Sequence, residues 1–181
     1  MSEEQEKNYL DNGEGFRSWF FTVDHKRIGV MYLWAIGVFF IVAAIASFLL
    51  RAEHLTPGPT IVNADTYNVL FTLHGSMMVF LFIVPGVAAS FGNFLIPLMI
   101  GAKDVIFPKL NLYSFWLYLA GALIFMLALA APADTGWTFY TPYSIETGAN
   151  VILITFGVFV LGFSSILTGI NFIVTMHKLR A

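Results

Sequence analysis

From Ile28 to Leu50 the chain reads IGVMYLWAIGVFFIVAAIASFLL without one charged side chain, and three further apolar stretches lie at about 67–99, 110–131 and 149–176. A bilayer core of roughly 30 Å takes about 20 apolar residues to cross as a helix. Hydrocarbon offers backbone amides and carbonyls no water, so each stretch must satisfy them within itself, as a helix does. The expectation is therefore an all-α membrane protein with four transmembrane helices at about 28–50, 67–99, 110–131 and 149–176. Charged residues make up 11% of the chain, against about 25% in a soluble domain. A net charge of -2 gives no field for nucleic acid. With no cysteine, any metal ligand must be histidine, carboxylate or methionine.

Orientation follows from the basic residues. Lys7, Arg17, Lys26 and Arg27 precede the first stretch, Lys103 and Lys109 separate the second from the third, and Lys178 and Arg180 follow the fourth; Arg51 alone falls in the alternate loops. The positive-inside rule then puts both termini on the inner side and the loops 51–66 and 132–148 outside. Residues 1–20 read as a polar inner-side arm and 21–181 as the helical segment. No apolar core with a small-residue cleavage site precedes the first stretch, which is itself expected to direct insertion. The second stretch is interrupted by Pro85, Gly86, Gly92 and Pro97, which predicts a kinked helix whose freed carbonyls neighbours must satisfy.

Within these stretches a few polar side chains stand out. His74 lies in FTLHGSMMVF, with Tyr67 seven residues earlier on the same helix face. A buried imidazole can simply be satisfied by a backbone carbonyl, but ionisable groups inside a bilayer are rare and usually functional. Neutral imidazole is also an axial ligand for haem iron. His25, His54 and His177 fall at membrane ends or in loops, so a second haem histidine at the same depth is absent from these residues. In GNFLIPLMIGAKDVIFPKLN, Asp104 with Asn93 and Asn111 is the composition of a proton-uptake mouth, while the neighbouring Lys103 and Lys109 fit a plain solvated loop charge. Ser164, Thr168 and Asn171 recur on one face of the fourth stretch, suited either to helix packing or to holding water. Arg51 suits snorkelling, pairing with Glu53, or neutralising a buried acid; Glu53 beside TPG can hold a hard cation through oxygen.

Taken together, TVDHKRIGVMYL, LLRAE, YNVLFTLHGSMMVF, FGNFLIPLMIGAKDVIFPKLN, DTGWTFYTPYS and FSSILTGINFIVT resemble the N-terminal part of subunit I of the haem-copper terminal oxidases, from about residue 18 onward. Departures are Lys103, where many relatives carry Pro or Arg, and the wording of the loop around Trp137. The resemblance implies a bundle of roughly twelve helices that reduces dioxygen to water and pumps protons. By that resemblance His74 is the low-spin haem ligand, Arg51 contacts that haem's edge, and Tyr67 and Trp137 lie near its propionates. Glu53 and the backbone at Gly58 match a peripheral calcium or sodium site. Asp104, Asn93 and Asn111 match the mouth of the D proton pathway, with Tyr32, Ser164, Ser165 and Asn171 along its water chain.

The resemblance further implies a low-spin haem of the haem a type, and a high-spin haem and copper whose ligands do not occur here. No catalytic centre is complete within these residues. The remainder of subunit I, in the same or a separate chain, is expected to supply it, with subunits II and III, and cytochrome c as electron donor, as partners in a bacterial plasma membrane or equivalent. A quinol oxidase of the same superfamily, and a non-catalytic membrane scaffold or transporter subunit, are the alternatives.

Overall fold

The computed structural model describes residue 9 and residues 15–128, 133–147 and 151–181. Four helical spans are long and apolar enough to cross a membrane: His25–Glu53, Ala64–Ile100, Pro108–Leu127 and Val151–Lys178. No strand occurs among the described residues. We label the helices α1 (Phe16–Phe20), α2 (His25–Glu53), α3 (Ala64–Ser76), α4 (Gly92–Ile100), α5 (Pro108–Leu127), α6 (Tyr143–Glu146) and α7 (Val151–Lys178). Within the expected arm 1–20, residues 16–20 form α1, whose Phe20 ring sits 4.0 Å from that of Trp116 on α5.

Local chemistry sets the ends. The Asp24 carboxylate accepts from the amides of Lys26 and Arg27 and so starts α2, while Asn63 does the same for α3 through the Thr66 amide. Gly101, at φ 71°, closes α4 in the left-handed region where a side chain would be strained. Pro108 opens α5, where its missing N–H costs nothing.

The second span is one run of helix with two wide turns, π-helical over Met77–Ile83 and Gly86–Phe91. Pro85 explains the first. It has no N–H to offer the carbonyl four residues back, which is Leu81, and the buried Tyr118 hydroxyl of α5 donates to that carbonyl at 2.8 Å. The freed carbonyl thus has the neighbouring partner that the proline demanded.

Helices α5 and α7 approach most closely where glycine meets glycine. A Cβ on Gly121 would lie 2.9 Å from the backbone nitrogen of Leu161, and one on Gly157 2.8 Å from that of Phe125. Small residues at such a crossing let dispersion contacts and backbone dipoles replace the hydrophobic driving force that lipid does not supply. The shared core joins Ile28, Tyr32 and Ile36 of α2 to Met77, Leu81, Phe115, Tyr118 and Phe125.

Candidate functional site

Polar side chains gather at two levels of the bundle. The first is around His74, half-buried near the end of α3. Its Nδ1 lies 3.0 Å from the carbonyl oxygen of Ala43 on α2. A carbonyl only accepts, so Nδ1 carries the proton and donates. In the neutral ring that leaves Nε2 with its lone pair, and the hydrogen bond fixes both tautomer and ring orientation. The carbonyl partner of the plain reading is therefore present, yet it occupies only one of the two nitrogens.

Beside it, Gly75 lets an indole close in: a Cβ there would stand 2.8 Å from Cδ1 of Trp137. The Trp137 loop is tied to α3 where the Gly136 amide donates to Thr72 Oγ1 at 2.8 Å. It is braced at its far side by Asp134, which accepts from Tyr143 Oη at 2.7 Å and Thr147 Oγ1 at 3.0 Å. The Tyr143 bond holds the Asp134 carboxyl below its usual range, and the same bond pushes the Tyr143 phenol up.

Arg51 and Tyr67 lie about 12 Å and 10 Å along their helices from the level of the Ala43–His74 contact, at the 1.5 Å rise per residue. Tyr67 pairs with His54, Oη to Nε2, at 2.9 Å, and the Arg51 residue is exposed. Glu53 turns into the following loop: Oε1 accepts from the Thr60 amide at 2.7 Å, and Oε2 from the amides of Ile61 and Val62 at 2.8 and 3.0 Å. Gly58, at φ 84°, shapes that loop. The loop's backbone amides, and not the Arg51 side chain, thus engage the Glu53 carboxylate.

The second level is the basic end. Asp104 Oδ1 meets His25 Nδ1 at 2.9 Å and also accepts from the Val105 amide. Deeper in, Asn111 donates to Asn93 Oδ1, and Asn93 donates to the carbonyl of Ala89 at 2.6 Å. Both carboxamides are fully buried, and Asn111 Oδ1 has no hydrogen-bond partner. Tyr32 Oη then reaches Ser114 Oγ and Ser164 Oγ, each at 3.3 Å.

The stripe on α7 divides. Ser164 donates to the carbonyl of Ser114, whereas Asn171 accepts from the Phe107 amide at 3.0 Å and so holds the α4–α5 loop. Ser165, about 100° further round the helix than the buried Ser164, is exposed. Sequence reasoning set His25 aside as a membrane-end residue and passed over Ser114 and Thr175. Thr175 was legible as the next i+4 member of the stripe, and it accepts from the Ile106 amide at 3.0 Å; His25, 79 residues from Asp104, carried no local signal.

Among the described residues no three His, Asp or Glu side chains converge as a metal site. A single oriented imidazole suits a cofactor that brings its own equatorial ligands, as a porphyrin does.

The profile of the family described as cytochrome c and quinol oxidase polypeptide I matches residues 27–181. The chain belongs to that family. It is 40% identical over 162 residues to cytochrome c oxidase subunit 1 of Thermostichus vulcanus, covering 88% of this chain and 29% of the relative. It is 43% identical over 162 residues to the protein of that name from Synechocystis sp., with the same coverage. A probable cytochrome c oxidase subunit 1-beta of Nocardia farcinica is 40% identical over 175 residues, 93% of this chain and 30% of the relative. The chain therefore spans less than a third of the length of these oxidase subunits, and the resemblance to subunit I read from the motifs agrees with the family.

Proposed function

We propose that this chain is the part of a haem-copper terminal oxidase subunit I that supplies one axial ligand to the low-spin haem and the mouth of a proton-uptake path. The observation that carries the reading is His74: its Nδ1–H is committed to the Ala43 carbonyl, which orients Nε2 as a ligand. When bound, the haem accepts and passes on single electrons toward the site of dioxygen reduction. The protein's part is to hold the ring plane, with Trp137 against Gly75, and Arg51 and Tyr67 nearer the Glu53 end.

At the basic end, taken as the inner side, Asp104 collects protons and Asn93 and Asn111 hold water above it. The unpartnered Asn111 Oδ1 supports this, since a buried acceptor without a partner is costly unless water fills the place. Tyr32 and Ser164 continue the polar line, Asn171 stands at its side as a loop anchor, and Ser165 is exposed on the neighbouring face of α7. Glu53, with Gly58, is proposed for a peripheral calcium or sodium ion only in the lone pair that its three loop amides leave.

The complete assembly, with the rest of subunit I and subunits II and III in a bacterial plasma membrane, reduces dioxygen with electrons from cytochrome c. The relatives' names favour that donor; the family description also covers quinol oxidases. The test is the reduced-minus-oxidised spectrum of the assembled complex carrying His74→Leu. Loss of the low-spin haem band is expected, and a normal band rules out ligation by His74.

A further inference from the structure

A groove of about 480 Å³ runs between α1, α2 and α5. Its walls are apolar and largely aromatic, including Trp19 and Phe20 of α1, Val30 and Trp34 of α2, and Trp116 and Leu119 of α5. We infer that it holds one acyl chain of an anionic phospholipid, with the headgroup met by Lys26 and Lys109. This goes beyond the haem and proton reading and does not depend on it.

The depth of the groove suits a single acyl chain. Trp34 lies nine residues into α2 and Leu119 eleven into α5, so the groove reaches about 14–16 Å from the basic end at the helical rise per residue. That is about half the hydrocarbon core, the depth of one leaflet.

Charge selects the headgroup. Lys26 precedes Val30 by one turn on the same face of α2, and Lys109 precedes Trp116 by two turns on the same face of α5. Both lysines are exposed, as is Arg17, which stands on α1 among the groove-lining Phe16, Trp19 and Phe20. The Lys26 Nζ rests over the Tyr9 ring at 5.5 Å. The acid closest in sequence, Asp24, is committed to capping α2. An anionic phosphate at this level therefore meets cations from three elements, each worth a few-fold in partitioning.

The test uses the assembled complex in lipid nanodiscs. Phosphatidylglycerol and phosphatidylcholine probes, each with a diazirine in mid-chain, are photolysed in turn and the adducts mapped by peptide mass spectrometry. Adducts at residues 30–34 and 115–119 are expected, with a preference for phosphatidylglycerol on the order of tenfold. The double variant Lys26→Gln/Lys109→Gln should lose the preference. Val30→Trp should lose the adducts while haem content stays unchanged, which separates a filled groove from a failed fold. Equal labelling by both headgroups overturns the proposal. So does labelling only elsewhere, or a cross-link from a photoreactive residue at position 34 to another polypeptide.

Discussion

The hydroxyl of Tyr118 donates at 2.8 Å to the carbonyl of Leu81, four residues before Pro85. One side chain on α5 thus completes the hydrogen bonding of a helix broken by a proline, and it does so seven residues beyond His74, where the span turns π-helical. Tyr118→Phe should expose the buried carbonyl at a cost of about 1–3 kcal/mol. Amide hydrogen exchange over residues 77–91 of the assembled complex should quicken; exchange equal to that of the parent would show that the hydroxyl is dispensable.

Asp104 and His25 give a second expectation, resting on the proposed uptake path. Asp104→Asn removes the ionisable group and should slow oxygen turnover and proton uptake several-fold with haem spectra intact. His25→Ala leaves the carboxylate without its partner at 2.9 Å and should have a smaller effect in the same direction. Turnover by Asp104→Asn at the parent rate and neutral pH would refute the role.

The buried Asn111 Oδ1 should carry an ordered water. A high-resolution experimental map of the complex should show density within hydrogen-bond distance of it, and Asn111→Leu should abolish that density. The leucine also strips Asn93 Oδ1 of its donor, so a loss of stability of about 1–3 kcal/mol is expected. A dry, well-resolved Asn111 carboxamide would contradict the water-bearing path.

The loop that carries Trp137 should respond to pH in two directions. Asp134, held low by Tyr143, stabilises the loop above its ordinary carboxyl value and loses that contribution as pH falls through its lowered folded value. Tyr143, pushed up by Asp134, stabilises it below the ordinary phenol value and loses that contribution as pH rises through its raised folded value. The fluorescence difference between the parent complex and Trp137→Phe should therefore stay flat between these limits. Tyr143→Phe should move the acid transition to higher pH; an unmoved transition would mean that the hydrogen bond does not hold the loop.

Much of this architecture was legible because lipid permits so few backbone solutions. The apolar run 28–50 marks the first span, and the helix extends to His25 at one end, where Asp24 caps it, and to Glu53 at the other. Pro85 announced a break, but the wide turn depends on a tyrosine 33 residues later that no local pattern connects to it. Likewise Lys103 and Lys109 made Asp104 look like a loop charge, because its partner is a histidine at the start of another helix. Ser165 and Ser164 are adjacent in sequence, and about 100° of helical rotation was enough to set them on different faces. Tertiary neighbours, not composition, decide such assignments.

Ligation of the low-spin haem by His74 is read most directly from the midpoint potential of that haem in the assembled complex carrying His74→Met. Replacing one imidazole by a thioether raises the potential of a haem that stays bound. A retained haem with a higher midpoint and an altered low-spin signal in electron paramagnetic resonance is expected. A midpoint and signal identical to those of the parent would contradict ligation by His74.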